Sequence, residues 1–461
     1  MKNTKIPHDS CAKTKSRMKR TAPALTVILL AVLGASAINA QELPDLTSIS
    51  KKAPDGLREK TQTKRSALFY IARPTQNGVA VEVGFFFGEK GLAVCHLRPF
   101  CRKEELKFHL ADKHKTPLKA PTVVATFPKE ELALIKFADK PKGATSLSIS
   151  TEATPVGSWI AVLSPEVASD LVLGPILSHR TTAINYEMKN PEAPAKQFSF
   201  ATGRGPRQNA ALFRGAPLLN LRGEVVALYH SPLPLPIQTF RLATPTQGLS
   251  DRIAGAVKKG ERLDTPLRAE DHGFDPVEFT DEWQELQIPL HKRNIDFAKA
   301  DQLVRDLVEK FPNSFLVQQK QFTIENMKLR SSSANPTKFV ELAKGLKHLA
   351  KDHAAAEAFY LVCLGDALFA AGKIEEATAA LKKADKLYPA GGSAGTLAHM
   401  YAKKGNWEQA EYYYRRIILL TPERIAFWDD LQTVLISRGK MKEADEVSDR
   451  VFLLEDFYRS R

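Results

Sequence analysis

The chain of 461 residues contains only four cysteines, which excludes a disulfide-stapled scaffold, and its 25 glycines and 28 prolines are too few for a collagen-like or low-complexity polymer. It lacks zinc-finger spacing and the aromatic signature of RNA-binding sheets, and no dense block of lysine and arginine runs through the residues after 40. No nucleic-acid partner is expected. His109 and His114 stand in a lysine-rich stretch without a cysteine or carboxylate placed to share a metal, and Gly203-Arg204-Gly205 lacks the third glycine of a dinucleotide loop. The expectation is therefore no metal and no cofactor. A membrane-crossing run is missing too: the apolar stretch at residues 22–37 spans sixteen positions, short of the ~20 that a spanning helix needs.

What is present begins with that stretch. Seven basic residues between Lys2 and Arg20, against the single acid Asp9, precede it, and Ala35-Ser36-Ala37 suits signal peptidase. Residues 1–40 read as a secretory signal peptide, cleaved after Ala37 or Ala40 and started at Met1 or Met18. The expected product is exported, periplasmic or extracellular, with no membrane span after cleavage. Net charge of +14 falls to +8 without the leader, and the remainder is uneven. Residues 41–260 carry 30 basic and 19 acidic side chains, whereas residues 261–461 carry 29 and 32. The basic surplus thus belongs to one half. In an oxidising compartment Cys95 and Cys101 are close enough in sequence to close a small disulfide loop, while Cys363, in an apolar helical stretch, reads as a buried thiol.

The two halves also differ in pattern. After an extension at 41–65, residues 66–259 read as short apolar strands punctuated by glycine and proline, at 79–87, 92–97, 122–126, 132–137, 159–163, 174–179, 198–201 and 224–230, closed by a helix at 249–258. Residues 260–280 are charged and rich in turn formers, which suggests a linker. Residues 281–457 then carry helical periodicity, with eight to ten helices expected, including segments at 295–311, 314–329 and 336–350. A fixed period runs through this half: Gly372-Lys-Ile-Glu-Glu-Ala377, Gly405-Asn-Trp-Glu-Gln-Ala410 and Gly439-Lys-Met-Lys-Glu-Ala444 recur at spacings of 33 and 34, and Pro389 and Pro422 each follow the alanine by twelve residues.

This pattern resembles the tetratricopeptide repeat. Leu364, Gly365, Ala377 and Pro389 fall on its signature positions in one repeat, Leu397, Tyr401, Ala410, Tyr414 and Pro422 in the next, and Trp428 and Ala444 in a third. Small residues at Gly365, Ala377 and Ala410 let antiparallel helices approach closely. The resemblance implies an all-α solenoid that presents a groove to a protein or peptide partner. The alternative is that the repeats pack on their own N-terminal domain or mediate self-association.

In the first half, Gly84-Phe-Phe-Phe with Gly91-Leu-Ala-Val-Cys95, then Glu131-Leu-Ala-Leu-Ile-Lys136, then Gly215-Ala-Pro-Leu-Leu-Asn220 with Gly223-Glu-Val-Val226, follow one another in the order found in trypsin-like proteases of the Do, or high-temperature-requirement, type. The resemblance implies an all-β double barrel. Carried over residue by residue, it puts Arg98 at the histidine position, Glu131 at the aspartate position and Arg214 at the serine position, with Leu212 where an oxyanion-hole glycine would stand. Acyl transfer needs a hydroxyl, an imidazole and a carboxylate, and arginine offers only donors. His96, two residues from Arg98, is displaced by ~6.6 Å along a strand, beyond the tolerance of a proton relay. The expected function is an exported scaffold: a trypsin-like domain without catalytic residues, joined to repeats that bind a protein or peptide. Its basic cleft, near Arg98 and Arg214, suits an acidic or carboxylate-bearing peptide. The alternative is a divergent serine endopeptidase of the cell envelope.

Overall fold

The computed structural model describes the chain from Leu43 to Arg459, apart from residues 45, 48–53, 76–77, 89, 103, 166–171, 183–194, 202–212, 231–239, 261, 273, 284, 287–295, 332–335, 346, 348–353, 388–390 and 423. Residues 1–40, read as a signal peptide, and Leu212 and Pro389 therefore lie outside the described residues. The first half is β-rich and the second helical.

A short helix, α1 (Leu57–Gln62), leads into a seven-stranded sheet ordered β5-β4-β1-β2-β3-β7-β6. Its strands are β1 (Leu68–Thr75), β2 (Gly78–Phe86), β3 (Leu92–His96), β4 (Lys107–Leu110), β5 (Pro117–Leu118), β6 (Thr122–Phe127) and β7 (Leu132–Lys136). One face buries Phe69, Phe86 and Phe137, whose rings meet at 5.2–5.4 Å. That cluster explains Gly84: a Cβ there would stand 2.3 Å from the Phe69 ring, so only glycine admits the ring to the strand. The remaining strands, β8 (Trp159–Val162), β9 (Val172–Thr182), β10 (Ala195–Ala201), β11 (Pro217–Leu219), β12 (Val225–His230) and β13 (Phe240–Pro245), close into a barrel ordered β10-β13-β12-β11-β8-β9. Helix α2 (Leu249–Lys259) follows, packing Leu249 and Ile253 into the core beneath the first sheet.

Residues 260–280, expected as a linker, are instead a packed strap. Leu263 bridges to Val123 on β6, and the Leu267 amide donates to the Phe100 carbonyl at 2.7 Å. Leu267, Ala269 and Phe274 are buried with Phe100 and Phe108 in the sheet's core, while Val277 belongs to the first core of the helical half, with Leu286, Ala300, Val304 and Val317. Apolar residues spaced among the charges anchor the segment to both units within a few positions.

The helical half contains, among the described residues, nine helices from residue 297 onward: α3 (Phe297–Lys310), α4 (Phe315–Ser331), α5 (Pro336–Gly345), α6 (Ala354–Ala370), α7 (Ile374–Leu387), α8 (Gly391–Lys403), α9 (Trp407–Leu420), α10 (Ile425–Ser437) and α11 (Met441–Arg459). Tight turns fold α7 back on α6, α9 on α8 and α11 on α10. Gly372, Gly405 and Gly439 occupy those turns at φ of 76°, 71° and 71°, the left-handed conformation glycine adopts without a Cβ penalty. Gly365 serves the helix crossing: a Cβ there would lie 2.5 Å from the Leu381 side chain. Ala377, Leu397, Ala410, Tyr414, Trp428 and Ala444 are all buried, and the Trp428 indole donates to the Pro422 carbonyl at 2.8 Å. Charged pairs stitch successive hairpins together: Glu411 accepts from Arg438 at 2.5 Å and Lys440 at 3.0 Å, and Arg416 reaches back to Asp385 at 2.7 Å.

Candidate functional site

Arg98 and Glu131 are brought together by backbone before their side chains meet. β3 ends at His96, and the next amide, Leu97, donates to the Glu131 carbonyl at 2.8 Å. Pro99 then starts a 3₁₀ turn, Arg98–Cys101, that lifts the Arg98 side chain off the strand. Across from it, the turn Pro128–Glu130 delivers Glu131 at φ 54°, an uncommon conformation for a residue with a side chain. The guanidinium meets the carboxylate in a two-pronged pair, Nε to Oε2 at 2.7 Å and Nη2 to Oε1 at 2.9 Å. This fork geometry is what arginine supplies and lysine does not.

The strap completes the arrangement. Glu278 accepts from Arg98 Nη1 at 2.5 Å, and the Phe274 ring lies beneath the guanidinium, 4.9 Å from Cζ to centroid. Glu131 is 1% exposed and the Arg98 side chain 15%. Burial works against the charge on Arg98, but Glu131, and after it Glu278, outweigh this and hold the guanidinium well above the usual arginine range. The centre is thus a guanidinium held charged between two carboxylates. Neither Phe274 nor Glu278 was legible as part of this site; both lie in the segment read as a linker, about 180 residues from Arg98.

Arg214 sits in the turn preceding β11. Its carbonyl accepts from the Val83 amide of β2 at 2.9 Å, fastening this loop to the first sheet. The next residue, Gly215, has φ 85°, and a Cβ on it would stand 2.1 Å from the Val83 carbonyl oxygen. The close approach of loop and strand requires a glycine there. His96 lies in the same seam, fully buried, with Nε2 3.3 Å from the Tyr229 carbonyl. Its imidazole is therefore a packed interior group.

Glu82, one residue from Val83, is a further participant that sequence reasoning missed. Its Oε2 is buried without a hydrogen-bond partner among the described residues. Burial pushes its carboxyl above the usual range, opposed by Arg214, then Arg98, Arg73 and Arg102. Arg102 is itself fixed to the strap, donating to the Phe279 carbonyl at 3.2 Å. Four arginines and three glutamates thus converge where the sequence placed a cleft. The signal available was alternation on β2, whose register sets Glu82 opposite Ile71 on β1.

Cys95 and Cys101, for which the sequence left a bridge possible, are both buried free thiols, as is Cys363. Cys95 lies within β3, opposite Ala133 of β7, while Cys101 ends the 3₁₀ turn with its sulfur 4.0 Å from the Leu97 carbonyl. Both side chains are buried in the core of the first sheet as separate thiols. Burial raises all three thiols, Cys101 to about 12 and the others well beyond their ordinary value. Elsewhere, the His109 ring faces the Lys115 carbonyl at 3.1 Å, and among the described residues no three histidine, cysteine or acidic side chains gather to hold a metal ion. No described helix is long and apolar enough to cross a membrane.

No protein-family model and no curated protein matches the chain. Among solved structures, the active form of the Rv3671c protease from M. tuberculosis is similar to it at 13% identity and a TM-score of 0.34, covering 50% of this chain and 93% of that one. An inactive serine-to-alanine form of the same protease is similar at 14% identity and a TM-score of 0.32, covering 45% and 95%.

Proposed function

We propose that the chain is an exported, noncatalytic protein-binding scaffold, in which a trypsin-like double-barrel domain without a working triad is coupled to tetratricopeptide repeats that hold a protein or peptide. The observation that carries the reading is the Arg98 centre. A nucleophile needs a neighbouring base with a lone pair, and the group facing the buried carboxylate is a guanidinium that is saturated by Glu131 and Glu278 and offers donors only. His96, the nearest imidazole in sequence, is sealed in the interior with its Nε2 turned to a backbone carbonyl.

The arginines around Glu82 support a binding role for this surface. A carboxylate-bearing peptide entering there meets Arg214, Arg73 and Arg102 beside a partly buried acid whose charge burial already disfavours. In the helical half, the left-handed glycine turns and the 33- and 34-residue recurrence support a repeat array able to display one continuous surface to a partner. The test is treatment of the purified protein with a fluorophosphonate probe, beside cleavage of unfolded casein. The expected result is no labelled serine and no cleavage; labelling of any serine that heat denaturation abolishes overturns the noncatalytic assignment.

A further inference from the structure

The first residues the structure describes are buried in an unexpected place. Leu46 is 1% exposed, and its neighbours belong to the apolar core of the helical half, the cluster that runs from Val340 to Leu454. Leu43 packs partly against the same core. A little further along the chain, Leu57 of α1 is fully buried on the β half, with Trp159 and Ala161 of β8. The extension at 41–65 is therefore held at two points, one on each unit. These leucines reach that core from outside the helices that build it.

The chemistry of the segment is that of a ligand. Two leucines stand three positions apart, and Pro44 between them fixes its own φ and biases Leu43 toward extended backbone. Leu43 is thus pre-set in extended backbone while Thr47, next to Leu46, is already helical, and the two leucines supply the apolar anchors. We propose that Leu43 and Leu46 occupy, in cis, the apolar site at which the helical half takes a protein segment. The partner it accepts presents two leucines at the same spacing with a proline between them. This rests on the protein-binding reading above and supplies its partner's chemistry. Because the chain between Leu46 and Leu57 is short, the tail's effective concentration at its seat is on the order of millimolar. With an intrinsic dissociation constant of ~100 µM for the tail at its own seat, the tail raises the apparent constant of any competing peptide roughly tenfold.

The experiment titrates a fluorescein-labelled peptide of residues 41–50 into the full chain from residue 41 and into its Leu43→Asp, Leu46→Asp variant, read by anisotropy. The variant is expected to bind the peptide about tenfold more tightly than the unaltered chain, and a peptide carrying the same two aspartates is expected to bind neither. Equal affinity of both chains, or no binding by a variant with unchanged helical circular dichroism, overturns the proposal. A second measurement needs no variant: saturating peptide should accelerate hydrogen exchange at residues 43–47 of the unaltered chain, and unchanged exchange overturns the proposal equally. The two readings separate on one comparison. Tenfold tighter peptide binding without any protein captured from an envelope fraction keeps the tail's seat and removes the partner-binding reading. A captured protein that binds both chains equally removes the seat and keeps the partner.

Discussion

Replacing Arg98 by methionine removes all three charged hydrogen bonds of the centre while keeping most of the apolar stem that packs on Phe274. Glu131, 1% exposed, and Glu278, 16% exposed, are left without their shared cation. Breaking a buried pair by deleting one partner costs about 3–5 kcal/mol, because the stranded charge remains buried. At about 1.4 kcal/mol per factor of ten, this raises the exchange of the best-protected amides of β3 and β7 by roughly two to three and a half decades. Hydrogen exchange read by mass spectrometry is the suitable assay, since it reports these strands separately from the helical half, whereas a global melt of a two-unit chain is not two-state. Adding Glu131→Gln to Arg98→Met should recover about 1–3 kcal/mol by removing the stranded charge. An increase in exchange below fivefold on Arg98→Met, the range of an exposed surface pair, would refute the argument that this centre holds the sheet.

At the helix crossing, Gly365→Ala should lose about 1–3 kcal/mol despite alanine's better helix propensity, because its Cβ meets Leu381 at 2.5 Å. Leu381→Ala alone should lose about 2–5 kcal/mol, and the double variant less than the sum by at least about 1 kcal/mol, measured by urea unfolding followed at 222 nm. Lys320, beside Trp283, is drawn down by burial to about 8, whereas the unfolded chain keeps that proton to ~10.4. The unfolded state therefore binds more protons between these values, and the stability of the helical half should rise from pH 8 to 10 and be lowest below 8. Lys320→Met should flatten that slope and add about 1–2 kcal/mol at pH 7, given a side chain that is only partly buried. Cys95, Cys101 and Cys363 should resist a thiol-reactive dye in the native protein and react on unfolding; a mass increase of two hydrogens on reduction would show the bridge that the structure lacks.

Elements whose residues act through local pattern were legible in the sequence. The helices at 297–310 and 315–331 lie where periodicity places them, and the glycine turns at 372, 405 and 439 were fixed by a single conformational requirement. Strands β2, β3, β6 and β7 likewise begin and end within about a residue of the apolar runs that announce them. Strands β1, β4, β5, β11 and β13 were missed: Lys107 and His109 alternate through β4, Arg241 interrupts β13 and β5 and β11 are very short, whereas the apolar run Leu68–Ala72 of β1 was legible and overlooked. At the site, the meeting of Arg98 with Glu131 followed from the histidine and aspartate positions to which the protease resemblance carried them. Glu278 and Phe274 did not, because their part depends on where a charged segment folds back after 180 residues, and the four anchoring apolar residues are too sparse to show a period.

The strap joins the two halves in a way that bears on mechanical load. Within five residues, Phe274 is embedded in the core of the sheet, Val277 in the core of the helices, and Glu278 bonded to Arg98. Followed along the chain, a pull on the helical half reaches Glu278 and its bond to Arg98 before it reaches Phe274 and the sheet beyond. The segment that looked in sequence like slack between two domains is the point at which tension on one would be felt by the other.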